Sequence, residues 1–125
     1  MDNIKDDAYY LNKMLDDLRF LIEHTKGKTY EQVESDPVLI DSIMFRLIQI
    51  AENSDRLTPT FKAEHSDLSW RELKGMRNRI VHDYGIIDLT IIYDTVINGI
   101  PEMYSQLEKL ILNCQIKCNT WIKKN

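Results

Sequence analysis

The chain has 125 residues, 43% hydrophobic and 29% charged, with four Gly and three Pro. That composition suits one globular domain over residues 1–125 with a single core, being too apolar for a disordered chain and too regular for a loop-rich scaffold. Twenty acids against 16 Lys and Arg give a net charge of −4, which excludes broad nonspecific coating of nucleic acid but leaves room for a small positive cleft.

Apolar runs such as Ile43-Met44-Phe45 are far too short for a membrane-spanning helix, so no membrane partner is expected. The acidic start, Met1-Asp2-Asn3-Ile4-Lys5-Asp6-Asp7, lacks the apolar core of a signal peptide, and a cytoplasmic location is expected.

Residues from about Ile4 to Lys26 read as a first helix. Ala8, Leu11, Leu15, Leu18 and Ile22 alternate steps of four and three, the mark of one buried stripe. Asp6, Asp7, Asp16, Asp17 and Glu23 fall largely off that stripe, and Gly27 offers a stop. Thr29 and Gln32 fit a capping box for a short turn. Asp36-Pro37 then begins a second long helix, with Asp as N-cap and Pro in the first turn. Ile40, Ile43, Met44, Leu47, Ile50 and Ala51 form its buried face, and it fades near Asn53 to Asp55. Thr58-Pro59 repeats the cap-then-proline start for a brief helix ending before His65.

Asp67 or Ser69 begins the third main helix, with Leu73, Met76 and Ile80 on its core side and Gly85 as terminator. Asp88 caps a fourth, ending at Asn98-Gly99, and Pro101 starts a fifth through Tyr104, Leu107, Ile111, Cys114 and Cys118. The two cysteines share a face, but no histidine or acid completes a metal-ligand set, so they read as small packing residues. His24 and His65 read as surface residues, and Trp70 and Trp121 as packing or interface anchors. The pattern is all-α: an up-down bundle of about five helices.

The charge balance reverses in the third main helix. From Arg71 to His82 there are four Lys or Arg against one acid, Glu72. Arg71, Lys74, Asn78 and His82, spaced three, four and four, share a polar stripe roughly opposite Leu73, Met76 and Ile80. Arg77 lies off that stripe, about 140° around the helix from His82. Either the helix loosens before Gly85 and swings His82 round, or Arg77 meets the His82 of another copy across a helix–helix interface. The second is favoured, because a buried arginine needs a partner and a symmetric dimer supplies one twice over.

These residues suit cleavage of RNA by its own 2′-hydroxyl. An imidazole exchanges protons near neutrality, so His82 can take the 2′-hydroxyl proton. A guanidinium stays cationic and grips a phosphate in a forked geometry, a role for Arg77. Asn78 can orient a phosphate or the imidazole; Tyr84 can support the histidine or donate a proton. The second His82 of a dimer can protonate the leaving oxygen. Arg71, Lys74 and Arg79 read as a solvated face that steers phosphate. No metal or cofactor is expected.

Arg77-Asn78-Arg79-Ile80-Val81-His82-Asp83-Tyr84 resembles the signature of HEPN-domain proteins: Arg, a polar residue, three more, His, one residue, Tyr. Trp70-Arg71-Glu72-Leu73-Lys74-Gly75-Met76, Ile87-Asp88-Leu89 and Ile100-Pro101 resemble the HepT branch of that group, and the resemblance covers nearly the whole chain. The branch often carries an Ile-Gly-Glu-Ala-like run late in helix two. Here the run is Gln49-Ile50-Ala51-Glu52, a difference expected to bear on helix packing more than on the site.

The resemblance implies a bundle that forms a homodimer or higher oligomer, with two motifs facing a shared cleft. It implies a metal-independent endoribonuclease, the toxin of a type VII toxin–antitoxin pair, acting on transfer or messenger RNA. Arg77 and His82 would be catalytic and Asn78 the polar accessory. The antitoxin would be an MntA-type minimal nucleotidyltransferase that attaches AMP to Tyr84. A rival reading makes the chain a non-catalytic partner or substrate-binding subunit of such a nucleotidyltransferase; a third makes it a plain dimeric interaction domain.

Overall fold

Backbone is described for residues 6–124 of the computed structural model, and side chains for 6–112. Every regular element among the described residues is helical: α1 Asp7–Thr25, α2 Tyr30–Glu34, α3 Pro37–Asp55, α4 Pro59–Glu64, α5 Trp70–Asp83, α6 Leu89–Asp94 and α7 Ile100–Lys124, with a π-helical turn, Thr95–Gly99, joining the last two. No helix among the described residues is long and apolar enough to cross a membrane.

The helix starts are chemical. Asp6 accepts from the Tyr9 N–H at 3.0 Å, Asp36 from Leu39 at 3.1 Å and Thr58 from Phe61 at 3.2 Å, each satisfying an N–H that lacks an intrahelical acceptor. Thr29 and Gln32 close a reciprocal capping box at 3.2 and 2.8 Å. Gly27, at φ 73°, takes the left-handed conformation that ends α1. Asp88 caps α6, and the Thr90 hydroxyl and backbone N–H hold its carboxyl below the usual carboxylate range.

The expected break between a fourth and a fifth helix is absent. The backbone stays helical through Asn98, Gly99 and Pro101, and the Ile100 N–H reaches back to the Thr95 carbonyl, five residues away. Proline has no N–H to give and its ring crowds the carbonyl four residues before it. The wider turn takes up that crowding without ending the helix.

α3 lies at the centre, packed against α1 on one side and α5 on the other, while α1 also packs on α7. Leu11, Met14, Leu18, Leu21, Met44, Leu47, Ile50, Ile80, Ile92, Ile100 and Leu107 are fully buried in one continuous core. The stripe of α1 runs through Met14 and Leu21 rather than Ala8 and Ile22, which are only partly covered. Asp17, expected off the stripe, is buried and accepts from Arg46 of α3 at 2.7 Å, whose guanidinium stacks 3.9 Å over Phe20. Among the described residues every buried side-chain nitrogen and oxygen has a partner. The side chains of Cys114, Cys118 and Trp121 lie outside the described residues.

Candidate active site

α5 is an outer helix that packs chiefly on α3. Only Leu73 and Ile80 are buried, with Met76 half-buried beside them, so most of its circumference stays open. Its other flank faces the start of α7 across a mostly apolar cleft of about 440 Å³, lined in part by Leu73, Met76, Arg79, Ile100 and Met103.

Arg71, Lys74, Asn78 and His82 are all exposed. Among the described residues no side chain bonds the His82 ring. Arg79 is exposed too, but it lines the α7 cleft and is absent from the hollow that holds Arg77.

α5 stays regular through Asp83, and Tyr84 follows with helical backbone angles. The helix therefore does not loosen before Gly85, and His82 is not swung round to Arg77 within one chain. Gly85 is not left-handed, so the stop comes from a tight turn in which the Ile86 N–H bonds the Asp83 carbonyl at 2.9 Å.

Arg77 sits half-buried in a polar hollow of about 170 Å³ lined by Ala51, Glu52, Asp55, Lys74 and Asn78. Its Nε donates to Glu52 Oε1 at 2.9 Å, and one terminal nitrogen donates to Asn78 Oδ1 at 3.2 Å. The counter-charge that Arg77 needs is thus supplied by its own chain. A partner copy is not required for that reason, which corrects the sequence-based argument for a dimer. Glu52 belongs to the Gln49-Ile50-Ala51-Glu52 run, so that run touches the site directly rather than serving packing alone.

Tyr84 lies on the same flank of α5 as Arg77, seven residues on and one short angular step away. Its hydroxyl donates to Asp41 Oδ1 of α3. That hydrogen bond, then desolvation and the charge of Asp41, push the phenol above its ordinary range. The hydroxyl proton is committed, which makes Tyr84 a poor acid for a leaving group. Neither Asp41 nor Glu52 is visible as a site residue in the linear sequence. The one available signal is that both are acids on a single face of α3: eleven residues is close to three whole turns.

The Tyr84–Asp41 bond has a defined pH signature. A raised phenol value means that folding favours the protonated form, so the stabilisation is complete below the ordinary tyrosine range near pH 10 and is lost as pH rises through the folded value. Asp41→Ala is expected to move one tyrosine's alkaline titration downward, read as tyrosinate absorbance against a Tyr84→Phe control. Superimposable curves for wild type and Asp41→Ala would contradict the contact.

The comparisons with known proteins agree on one family. Residues 14–110 match the family model "Ribonuclease HepT-like". The chain is 34% identical over 102 residues to a protein of Caldanaerobacter subterraneus subsp. tengcongensis named "Putative RNase TTE0752", covering 82% of this chain and 91% of that one. A Thermococcus cleftensis protein named "Probable ribonuclease HepT" is 28% identical over 81% of this chain and 92% of its own. In Methanocaldococcus jannaschii, "Gamma-glutamylcyclotransferase and putative RNase MJ0434" is 27% identical over 86% of this chain and 48% of its own length. No solved structure gives a significant match. An all-helical chain with the Arg77-to-Tyr84 signature on an open outer helix, matched from 14 to 110, belongs to the HepT-like ribonuclease family.

Proposed function

We propose that the protein is a metal-independent endoribonuclease toxin of the type VII class, acting as a homodimer and silenced by an MntA-type nucleotidyltransferase that AMPylates Tyr84. The observation that carries this reading is the contrast between two groups on one outer helix. Arg77 is oriented by Glu52 and Asn78 with donors left over, while His82 is open to solvent two residues before Tyr84.

Within one chain Arg77 and His82 point about 140° apart, too far to grip one phosphate together. A second copy across the α3–α5 seam supplies the missing half. The seam is flanked by exposed apolar side chains, Val38 and Phe45 on α3 and Val81 and Tyr84 on α5, with exposures of 76%, 57%, 47% and 45%. Burying them gives association a hydrophobic driving force.

In the composite site His82 takes the proton of the RNA 2′-hydroxyl, and the 2′-oxygen attacks phosphorus. Arg77 holds the charge that builds on the non-bridging oxygens. The bond to the 5′-oxygen breaks, and the second copy's His82 delivers a proton to that oxygen. The products are a 2′,3′-cyclic phosphate and a 5′-hydroxyl. Arg71, Lys74 and Arg79 steer the strand, and Asn78 orients the phosphate through Arg77. Transfer of AMP from ATP breaks the α–β phosphoanhydride bond, releases pyrophosphate and replaces the Tyr84 hydroxyl hydrogen with an anionic phosphodiester beside Asp41. Repulsion breaks that contact, and the nucleotide, on the Arg77 flank of α5, fills the cleft that the second copy's His82 enters.

Purified protein is expected to cut RNA in excess EDTA, leave 2′,3′-cyclic phosphate ends and spare a deoxy substrate. His82→Ala and Arg77→Ala are each expected to lower the rate at least about a hundredfold. Cleavage abolished by EDTA, or undiminished in His82→Ala, would contradict the mechanism and favour the non-catalytic partner reading.

Incubation with the cognate nucleotidyltransferase and ATP is expected to add the mass of one or more AMP units to the wild type and none to Tyr84→Phe. An unchanged wild-type mass beside a demonstrably active transferase would remove the silencing step.

A further inference from the structure

Arg77 is held by one carboxylate at one nitrogen. A guanidinium has five N–H donors. Here Nε is spent on Glu52 and one terminal N–H on Asn78, and among the described residues the other three have no protein partner. Those three include both hydrogens of one terminal nitrogen, and Arg77 lines the hollow. A forked phosphate contact needs two neighbouring donors, and these remain available.

The pair does little for stability. Both side chains are more than a third exposed, at 36% and 38%, and solvent screens ion pairs in such settings. Its effect on geometry is larger. A free arginine side chain has four rotatable bonds and sweeps a wide volume, whereas this one is tied at its inner nitrogen and braced at its tip. The contact also has a cost for binding. Glu52 cancels the Arg77 charge at a distance, so attraction of a polyanion falls to Lys74, Arg71 and their neighbours.

The tie is part of a register between two helices. On α3 the acids Asp41 and Glu52 are eleven residues apart, and on α5 Tyr84 and Arg77 are seven apart in the opposite chain sense. An antiparallel pair brings the late acid of α3 to the early cation of α5 and the early acid to the late phenol. Ala51, buried to 5% exposure and part of the hollow's lining, keeps a bulky side chain away from the guanidinium.

We infer that Glu52 is a positioning residue for the ribonuclease reaction: it fixes Arg77 at Nε so that the terminal N–H groups meet the scissile phosphate, giving up substrate attraction to gain turnover. The inference rests on the ribonuclease reading above.

Two substitutions separate reach from charge in single-turnover and steady-state RNA cleavage. Glu52→Gln keeps the acceptor oxygen in place and removes the charge; kcat is expected within about threefold of wild type, with a lower KM. Glu52→Asp keeps the charge and draws the oxygen back by one methylene; kcat is expected to fall about tenfold or more, with KM little changed. A purely structural role would lower both parameters together and would follow thermal stability, which is measured alongside. The assignment is overturned if Glu52→Asp turns over like wild type, or if Glu52→Gln loses as much kcat as Glu52→Asp. A wild type that does not cut RNA removes the ribonuclease reading and this assignment with it. A wild type that cuts, is silenced by His82→Ala and ignores both Glu52 changes removes this assignment alone.

Discussion

The seam between α3 and α5 governs how this molecule presents its chemistry. The signature helix is attached through Leu73, Met76 and Ile80 and through two carboxylates on α3, Glu52 to Arg77 and Asp41 to Tyr84. A helix held on one side keeps the rest of its surface available. Each polar tie fixes a side chain at the edge of that seam, so its effect is on orientation more than on stability.

The two ties have different chemical consequences. Glu52 leaves Arg77 with donors to spare, so the guanidinium is oriented and still usable. Asp41 takes the single hydrogen that the Tyr84 hydroxyl owns, so the phenol is occupied in the unmodified chain. In the proposed reaction Arg77 is the charged anchor, and Tyr84 is the group whose state reports on the α3–α5 seam. Replacing its hydroxyl hydrogen with any anionic group sets like charges against Asp41 on the flank of α5 that also carries Arg77.

Much of the fold was legible because helix starts are local chemistry. Asp36-Pro37, Thr58-Pro59 and the Thr29–Gln32 box mark α3, α4 and α2 within a residue, and Gly27 stops α1. Asn98, Gly99 and Pro101 within four residues predict a helix end, because each is unfavourable inside a helix. Here packing of Val96, Ile100 and Met103 into the core keeps it continuous through a wider turn. Asp17 was placed outside for being an acid, and only its pairing with Arg46, 29 residues away, reverses that. The site divides the same way. The exposed stripe from Arg71 to His82 follows from the 3.6-residue period, whereas Glu52 and Asp41 reach Arg77 and Tyr84 across 25 and 43 residues. Such contacts depend on the register of two packed helices, which no local pattern encodes.

One chain sets Arg77 and His82 on different faces of α5, and the proposed reaction needs them together. Mixing subunits tests this most directly. Arg77→Ala and His82→Ala proteins, each inactive alone, are dissociated, combined and reassociated, and RNA cleavage is measured against unmixed controls. If one copy's Arg77 serves the other's His82, each mixed dimer carries one site with both groups intact. Equal mixing then restores activity above either parent and at most about a quarter of wild type, since half the dimers are mixed, each keeps one Arg77–His82 pair of two, and water must replace the absent second His82 as the acid. Mixed dimers that form and cut no better than either parent would contradict the shared site.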